Sequence, residues 1–343
     1  MRFILSLIFI STSLFAISIF EDKKNSLIIE DIIKQPESFK KVNRYTFGVK
    51  NSTFWIRLNI SNDSSKQQIK YIRFHYSLLE NVDMYYYDNN ILKHFKNGQK
   101  IPIEQRDIKS SHILFKLPIK PKEMQTFYFK IKSNHVLNIG KKVFENKEEL
   151  KEYINIKKNI TVSVFSIYTV IIFIIVILIV NTKDIIYIYY VIFLLSSIIA
   201  QYSITGYFQN YIYIENYNVI GRIVADILII SVLLFLKLFL ELKKFASKIN
   251  KIFILFILLF IVIIFLETFD NIAITLIRQK LFILILFIIL ITAIYSVIKK
   301  IPYAKFILGG WTIFILGIFI PVVFGRISSL YNIALEGYGL QTW

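Results

Sequence analysis

The stretch Asn51-Ser-Thr-Phe-Trp-Ile-Arg-Leu-Asn-Ile-Ser-Asn62 alternates cleanly, with Phe54, Ile56, Leu58 and Ile60 on one side and Trp55, Arg57 and Asn59 on the other. A period of two is the signature of a half-buried strand. The pattern returns at Ile72, Phe74 and Tyr76, at Val82, Met84 and Tyr86, and at Phe127, Phe129 and Ile131. Polar breaks separate these runs at Asn62-Asp63-Ser64-Ser65, Asp88-Asn89-Asn90, Asn97-Gly98 and Lys120-Pro121-Lys122. Short strands punctuated in this way predict an antiparallel β-sandwich.

Ahead of this region the chain reads as a secretory leader over residues 1–20. Arg2 is basic, Phe3 to Leu14 is apolar, Ala16 and Ser18 are small, and Glu21 and Asp22 follow. The exported domain then spans 21–156 and the rest, 157–343, is apolar. A hydrophobic fraction of 55% and a mean hydropathy of +0.57 exceed what one soluble core absorbs, so the chain falls in the membrane class. The absence of cysteine excludes disulfides, thiolate nucleophiles and Cys-ligated metals, so the exported domain rests on its apolar core. Net charge is +18, and residues 21–158 carry 27 Lys/Arg against 16 Asp/Glu. That excess attracts an anionic ligand or lipid surface, or reflects compositional bias toward Lys and Asn. Without a basic helix or arm, nucleic acid is not an expected partner.

Six membrane spans are expected, near 160–180, 185–206, 219–240, 252–269, 274–298 and 304–325. The loops that would face inward carry Lys183, then Lys243, Lys244, Lys248 and Lys251, then Lys299, Lys300 and Lys305. The opposing loops hold Glu215 and Asp270 and no Lys or Arg, which is the positive-inside pattern. Lys157 and Lys158, on the outer side, run against it. Within the spans, Arg222 and Asp226 stand four apart and can pair, and Gln201 lies in a polar stripe with Ser197 and Thr205. Such groups serve a relay or a buried site, or join helices. Arg278 and Lys280 read as the outer end of the fifth span.

In the exported domain, Trp55, Tyr71, Tyr85 and Tyr87 fall on the less apolar strand faces together with Arg57, Arg73 and Asp83. Aromatic rings beside polar groups suit a small molecule or saccharide. The same rings equally suit the closing of a second sheet or contact with the membrane. The histidines, His75, His94, His112 and His135, lack metal-ligand spacing and read as surface residues. Neither a metal nor a cofactor is expected.

The Asn51–Asn62 run resembles the "YWLRF…N" strand of a sensor domain found in bacterial seven-transmembrane receptors with diverse intracellular signalling modules, in its type 2 extracellular form. Tyr76-Ser-Leu-Leu-Glu-Asn-Val-Asp-Met-Tyr-Tyr86 is similar to that domain's "YPLLDYVELY", and Pro118 to Lys132 to its "LPPGETRTYYLRV" hairpin. In the membrane half, Asn181-Thr-Lys-Asp-Ile-Ile-Tyr-Ile-Tyr-Tyr190 resembles "SLRDRAYLYY", and Ala304-Lys-Phe-Ile-Leu-Gly-Gly-Trp311 resembles "AR-FLLGW". The resemblance implies a jelly-roll-like sandwich in the periplasm, a helical bundle in the bacterial inner membrane and a sugar or other small molecule as ligand. The family carries a seventh span and an output domain. Ser328 to Trp343 looks like the approach to that span, and the chain reads as a receptor that stops before it.

A signalling receptor is therefore the leading expectation, with a cytoplasmic or membrane partner to receive the signal and a homodimer left open. A transporter or channel, or a non-functional receptor fragment, is the alternative. No catalytic residue is expected, since the bundle has neither histidine nor a paired-carboxylate motif.

Overall fold

The structure is a computed structural model that describes residues 18–42, 45–133, 136–210, 217–269 and 272–313. Its first half is an antiparallel β domain. The strands are β1 Ser18–Asp22, β2 Lys40–Lys41, β3 Thr46–Val49, β4 Thr53–Ser61, β5 Gln68–Phe74, β6 Asn81–Asp88, β7 Ile91–Asn97, β8 Ile113–Ile119, β9 Met124–Lys132, β10 Val136–Asn138 and β11 Lys141–Phe144. A six-stranded sheet runs β2-β1-β4-β9-β6-β7, a three-stranded sheet runs β11-β5-β8, and β10 pairs with β3.

The alternation of β4 does what its period dictates. Phe54, Ile56, Leu58 and Ile60 meet Val82 and Met84, Phe127 and Phe129 from their own sheet and Ile72, Phe74, Phe115 and Leu117 from the other. Phe129 packs edge-to-face on Phe74 and Phe115, with centroids 5.4 and 5.7 Å apart. The Asn62 side chain accepts from the Ser64 amide and donates to the carbonyls of Lys66 and Ile119, which ties the β4–β5 turn to the end of β8. The domain start read at residue 21 falls inside β1: Ile19 is buried and pairs with Ile56, so the alternating core begins at residue 18. The rest of the expected leader, residues 1–17, lies outside the described residues.

Among the described residues the α-helices are α1 Ile29–Ile33, α2 Lys147–Thr182, α3 Ile185–Thr205, α4 Tyr217–Phe239, α5 Leu242–Phe245, α6 Ser247–Glu267 and α7 Ile272–Ile298. Residues 304–313 are also helical. Among the described residues, α2, α3, α4, α6 and α7 are long and apolar enough to cross a membrane. The remainder of the expected sixth span, with Gly317 and Pro321, lies outside the described residues.

Helix α2 differs most from its sequence reading. It starts at Lys147, well ahead of the expected 160, and runs 36 residues without Gly or Pro. Asn146 caps it by accepting from the Glu149 amide, and Glu148 and Glu149 complement its N-terminal dipole. At 1.5 Å per residue it is about 54 Å long, against a hydrocarbon core of about 30 Å. The excess lies on the sensor: Leu150 packs with Phe144 and Leu114, and Tyr153 and Ile154 pack against that cluster. Hydropathy reports only the part of a helix that lipid surrounds, so the amphiphilic first turns escape it.

Candidate functional site

The outer face of the six-stranded sheet gathers five of the seven candidate ligand residues. Register sets four of them in two rows across β4, β9, β6 and β7, with Tyr87 two residues beyond Tyr85 on β6 and opposite Leu92. One row is Trp55, Lys130, Asp83 and Lys96; the other is Arg57, Tyr128, Tyr85 and His94. Tyr85 stacks on His94 with centroids 4.3 Å apart, and His94 Nε2 lies 3.2 Å from Asp83 Oδ1. Lys130 stands over the Trp55 ring at 5.4 Å. Burial raises the Tyr85 phenol to about 12, with the Asp83 charge adding to it.

Trp55 itself is fully buried. Ile29 and Ile32 of α1 and Phe39 close over it, and Phe20, Tyr85 and Tyr128 complete the cover. It therefore anchors a second small core, and the polar and aromatic surface beside it belongs to the half-buried Arg57, Asp83 and Tyr85 and the exposed Tyr87 and His94. Tyr71 and Arg73 are not part of this surface. They lie on the outer face of the three-stranded sheet, beneath α2, where Tyr71 joins the Leu114–Phe144–Leu150 cluster and Arg73 Nη1 donates to the Tyr153 hydroxyl at 3.1 Å.

Two histidines read as surface residues are buried. His75 and His112 are each 5% exposed, because both follow the outer-face parity of their strands under cover of neighbouring elements. Burial and the charges of Arg73, Lys142, Lys157 and Lys141 lower His75 to about 3, and burial with Arg73 and Arg106 holds His112 well below the usual imidazole value. Both are neutral at neutral pH. In the unfolded chain they titrate near 6.5, so below that pH the unfolded state binds protons that the fold excludes. Stability should fall as pH drops from about 6.5 toward 3, by no more than about 1.4 kcal/mol per unit for each ring. A pH series of thermal melts on His75→Gln should show a shallower slope than the parent, and an identical slope would refute this assignment. His135 lies outside the described residues.

The sensor docks directly on the bundle. Arg106, a residue no motif singled out, is buried and donates to the carbonyls of Gly98, Ile101 and Ser110 and, at 3.0 Å, to Gln209 Oε1 in the helical turn Tyr207–Asn210 that follows α3. His112 meets Tyr207 edge-on at 5.5 Å. Gly206 caps α3 at φ +79, and a Cβ there would stand 2.9 Å from the Ser77 Cβ and 3.2 Å from the Ser111 carbonyl. Gly48 has a similar φ of +69 with open space around it. Both changes to alanine carry backbone strain of about 1–3 kcal/mol. Gly206→Ala should lower the unfolding temperature more than Gly48→Ala, since only the former also pushes the sensor off the bundle. Equal effects would count against the dock.

Beneath this dock lies an ionic quartet drawn from three helices. Arg222 Nε of α4 contacts Glu267 Oε2 of α6. Arg278 Nε of α7 lies 3.2 Å from Asp226 Oδ1 and 3.6 Å from Glu267 Oε1. Asp226 and Glu267 are fully buried, and Arg222 and Arg278 nearly so. Arg278 lies near the start of α7, as read, but it is buried and paired there, and Glu267, which the sequence did not single out, joins it. Two cations and two carboxylates balance, as charges buried in a membrane must. Sensor residue Tyr76 reaches into the same field: burial holds its phenol above the usual value while the positive charges of Arg222 and Arg278 oppose that shift. Of the polar stripe on α3, Ser197 and Thr205 satisfy themselves on carbonyls one turn back, and Gln201 is half-buried. On that helix Ser203 faces Gly221 of α4, where an added Cβ would stand 3.4 Å from the Ser203 Cβ, in ordinary van der Waals contact.

A β-sandwich seated on a multi-pass bundle, with buried charge linking the two, defines a membrane sensor of the receptor class. Residues 159–342, more than half of the chain, match the family described as 7TM diverse intracellular signalling, and residues 16–145 match that described as 7TMR-DISM extracellular 2. The chain belongs to this receptor family. No curated protein matches it. Among solved structures, the crystal structure of β-glucosidase from Kluyveromyces marxianus in complex with glucose aligns at 13% identity and a TM-score of 0.25, over 42% of this chain and 18% of its own.

Proposed function

We propose that the chain is a ligand-sensing receptor module of the bacterial inner membrane. The sandwich lies in the periplasm and takes up a small molecule, saccharides being the first class to test, at the surface formed by the half-buried Arg57, Asp83 and Tyr85 and the exposed Tyr87. The bundle passes the bound state inward to a signalling partner. The observation that carries this reading is α2, one uninterrupted helix that is packed on the sensor at Leu150 and Tyr153 and ends at the far side of the bundle. A rigid rod turns a small displacement of the sheet beneath Tyr153 into a displacement at the opposite end. Lys183, Lys243, Lys244 and Lys299 all lie at that opposite end, which supports an inward orientation. A ligand can bias this movement only by its difference in affinity for two arrangements of the helices.

The test uses the full chain in nanodiscs. Its lack of cysteine lets spin labels be placed at Asn89→Cys on the sensor and Lys244→Cys at the far end without background labelling. Glucose, N-acetylglucosamine, cellobiose and maltose are added in turn, with the label-to-label distance and the unfolding temperature as readouts. At least one sugar should move both, and Tyr85→Ala should abolish the response. A panel that moves neither would sink the saccharide reading.

A further inference from the structure

The outer face of the three-stranded sheet carries a cationic cluster that sugar uptake does not use. Arg73 on β5 and Lys142 on β11 stand directly opposite each other across an antiparallel pair. Like charges in that register repel. Among the described residues, neither is in an ion pair with a carboxylate. Both converge instead on one aromatic ring of α2: the Arg73 Cζ lies 5.3 Å, and the Lys142 Nζ 4.7 Å, from the Tyr153 centroid. Lys157, one helical turn onward, adds a third cation at 5.7 Å.

Two of the carboxylates near in sequence are engaged elsewhere. Glu145 pairs with Lys70 at 2.8 Å, and Glu149 accepts from the Glu145 amide. Beneath the cations lies His75, 5% exposed, with neither ring nitrogen hydrogen-bonded, and the Arg73 Nε is likewise buried without a partner. Every charge that acts on His75 is positive: Arg73, Lys142, Lys157 and Lys141. The repelling pair Arg73 and Lys142, the orphaned Arg73 Nε–H and the orphaned His75 imidazole all suit the same thing, an anion with several acceptor oxygens.

The geometry points to a phosphate-binding site formed by Arg73, Lys142 and Lys157 around Tyr153, with the buried His75 as a further donor. Phosphate suits it by charge and by its three acceptor oxygens, and a guanidinium beside ammonium groups is a strong partner for it. Lys157 precedes the apolar part of α2 by one turn, which sets the site at the height of lipid headgroups. The phosphate is supplied by an anionic phospholipid or by a soluble phosphate compound. In either case α2 is clamped to the sensor where it enters the membrane.

The experiment uses the full chain in nanodiscs of phosphatidylcholine, with and without phosphatidylglycerol, and in pure phosphatidylcholine with inorganic phosphate or with chloride of equal ionic strength. Lipid retained through detergent extraction is read by native mass spectrometry, and protection by the thermal unfolding curve. Retention of phosphatidylglycerol by the parent, weakened about fivefold for each cation removed in Lys142→Gln and Lys157→Gln, supports a lipid occupant. Protection by inorganic phosphate, lost in the same variants, supports a soluble one. Lys142→Arg should keep whichever response the parent shows. If Lys142→Gln fails to fold, Lys157→Gln decides alone, since its side chain lies on a helix surface. The parent showing neither retention nor protection, or both glutamine variants matching it, overturns the proposal.

Discussion

Glu267→Ala is expected to be the most damaging single substitution in the bundle. Glu267 is fully buried and contacts both arginines, Arg222 through Oε2 and Arg278 through Oε1. Its removal takes a buried anionic contact from both arginines and leaves Asp226 as the remaining carboxylate of the quartet. Removing one partner of a buried ion pair costs about 3–5 kcal/mol, most of it the penalty of the charge left behind. The asymmetry gives the control. Arg222→Met combined with Glu267→Met deletes a cation and an anion together and leaves the Arg278–Asp226 contact at 3.2 Å in place. That double variant should recover much of the loss, because apolar residues of similar volume replace buried pairs at little net cost. Thermal melts of the parent, Arg222→Met, Glu267→Met and the double variant form a double-mutant cycle. If the two single changes add to give the double, the quartet does not act as a unit.

The quartet also shows which links of the fold a single sequence carries. Arg222 and Asp226 were legible as intramembrane polar groups because each interrupts an apolar run, and their spacing of four made them partners on paper. The structure spends them across helices instead, on Glu267 and Arg278. Partner choice between helices depends on packing angle and depth, and no spacing rule within one chain segment contains it. Glu267 and Arg278 stand near span ends, where hydropathy expects polar residues anyway, so neither registered as buried. The strands fared better: a period of two fixes which side of β4 each residue takes, and Phe54 through Ile60 form the core that the period demands. What parity does not fix is whether the other side is open. Trp55 is on the outer face, as its parity requires, and yet it is sealed by α1 and Phe39, which return from earlier in the chain. His75 and His112 are the same case under the cover of α2 and the Tyr207 turn. Burial by a distant segment is a long-range fact, and it explains why candidate residues split between two sheets when alternation alone suggested one platform.

Ile156→Pro should uncouple the sensor from the bundle while leaving both folded. Ile156 lies in the stretch of α2 between Tyr153, which is packed on the sensor, and Thr161, which enters the membrane part, and its own side chain is largely exposed. Proline there removes the N–H that would donate to the Glu152 carbonyl and pushes its ring against that carbonyl, which kinks or breaks a helix at a cost of about 3 kcal/mol. Little packing is lost with the isoleucine, so Ile156→Ala isolates the backbone effect. The sandwich keeps its own core of Phe74, Phe115 and Phe129, and the bundle keeps its quartet, so each half should retain its separate melt. What should change is the distance between labels on Asn89→Cys and Lys244→Cys: narrow in the parent and in Ile156→Ala, and broadened in Ile156→Pro. The Arg106–Gln209 contact and the Gly206 dock still join the halves in the variant, and they set the limit of that broadening. A distribution as narrow as the parent's would show that the dock, and not the continuous helix, holds the sensor in register. The path of the signal would then run from Arg106 and Tyr76 into Arg222 and Arg278, with α2 serving only as an anchor.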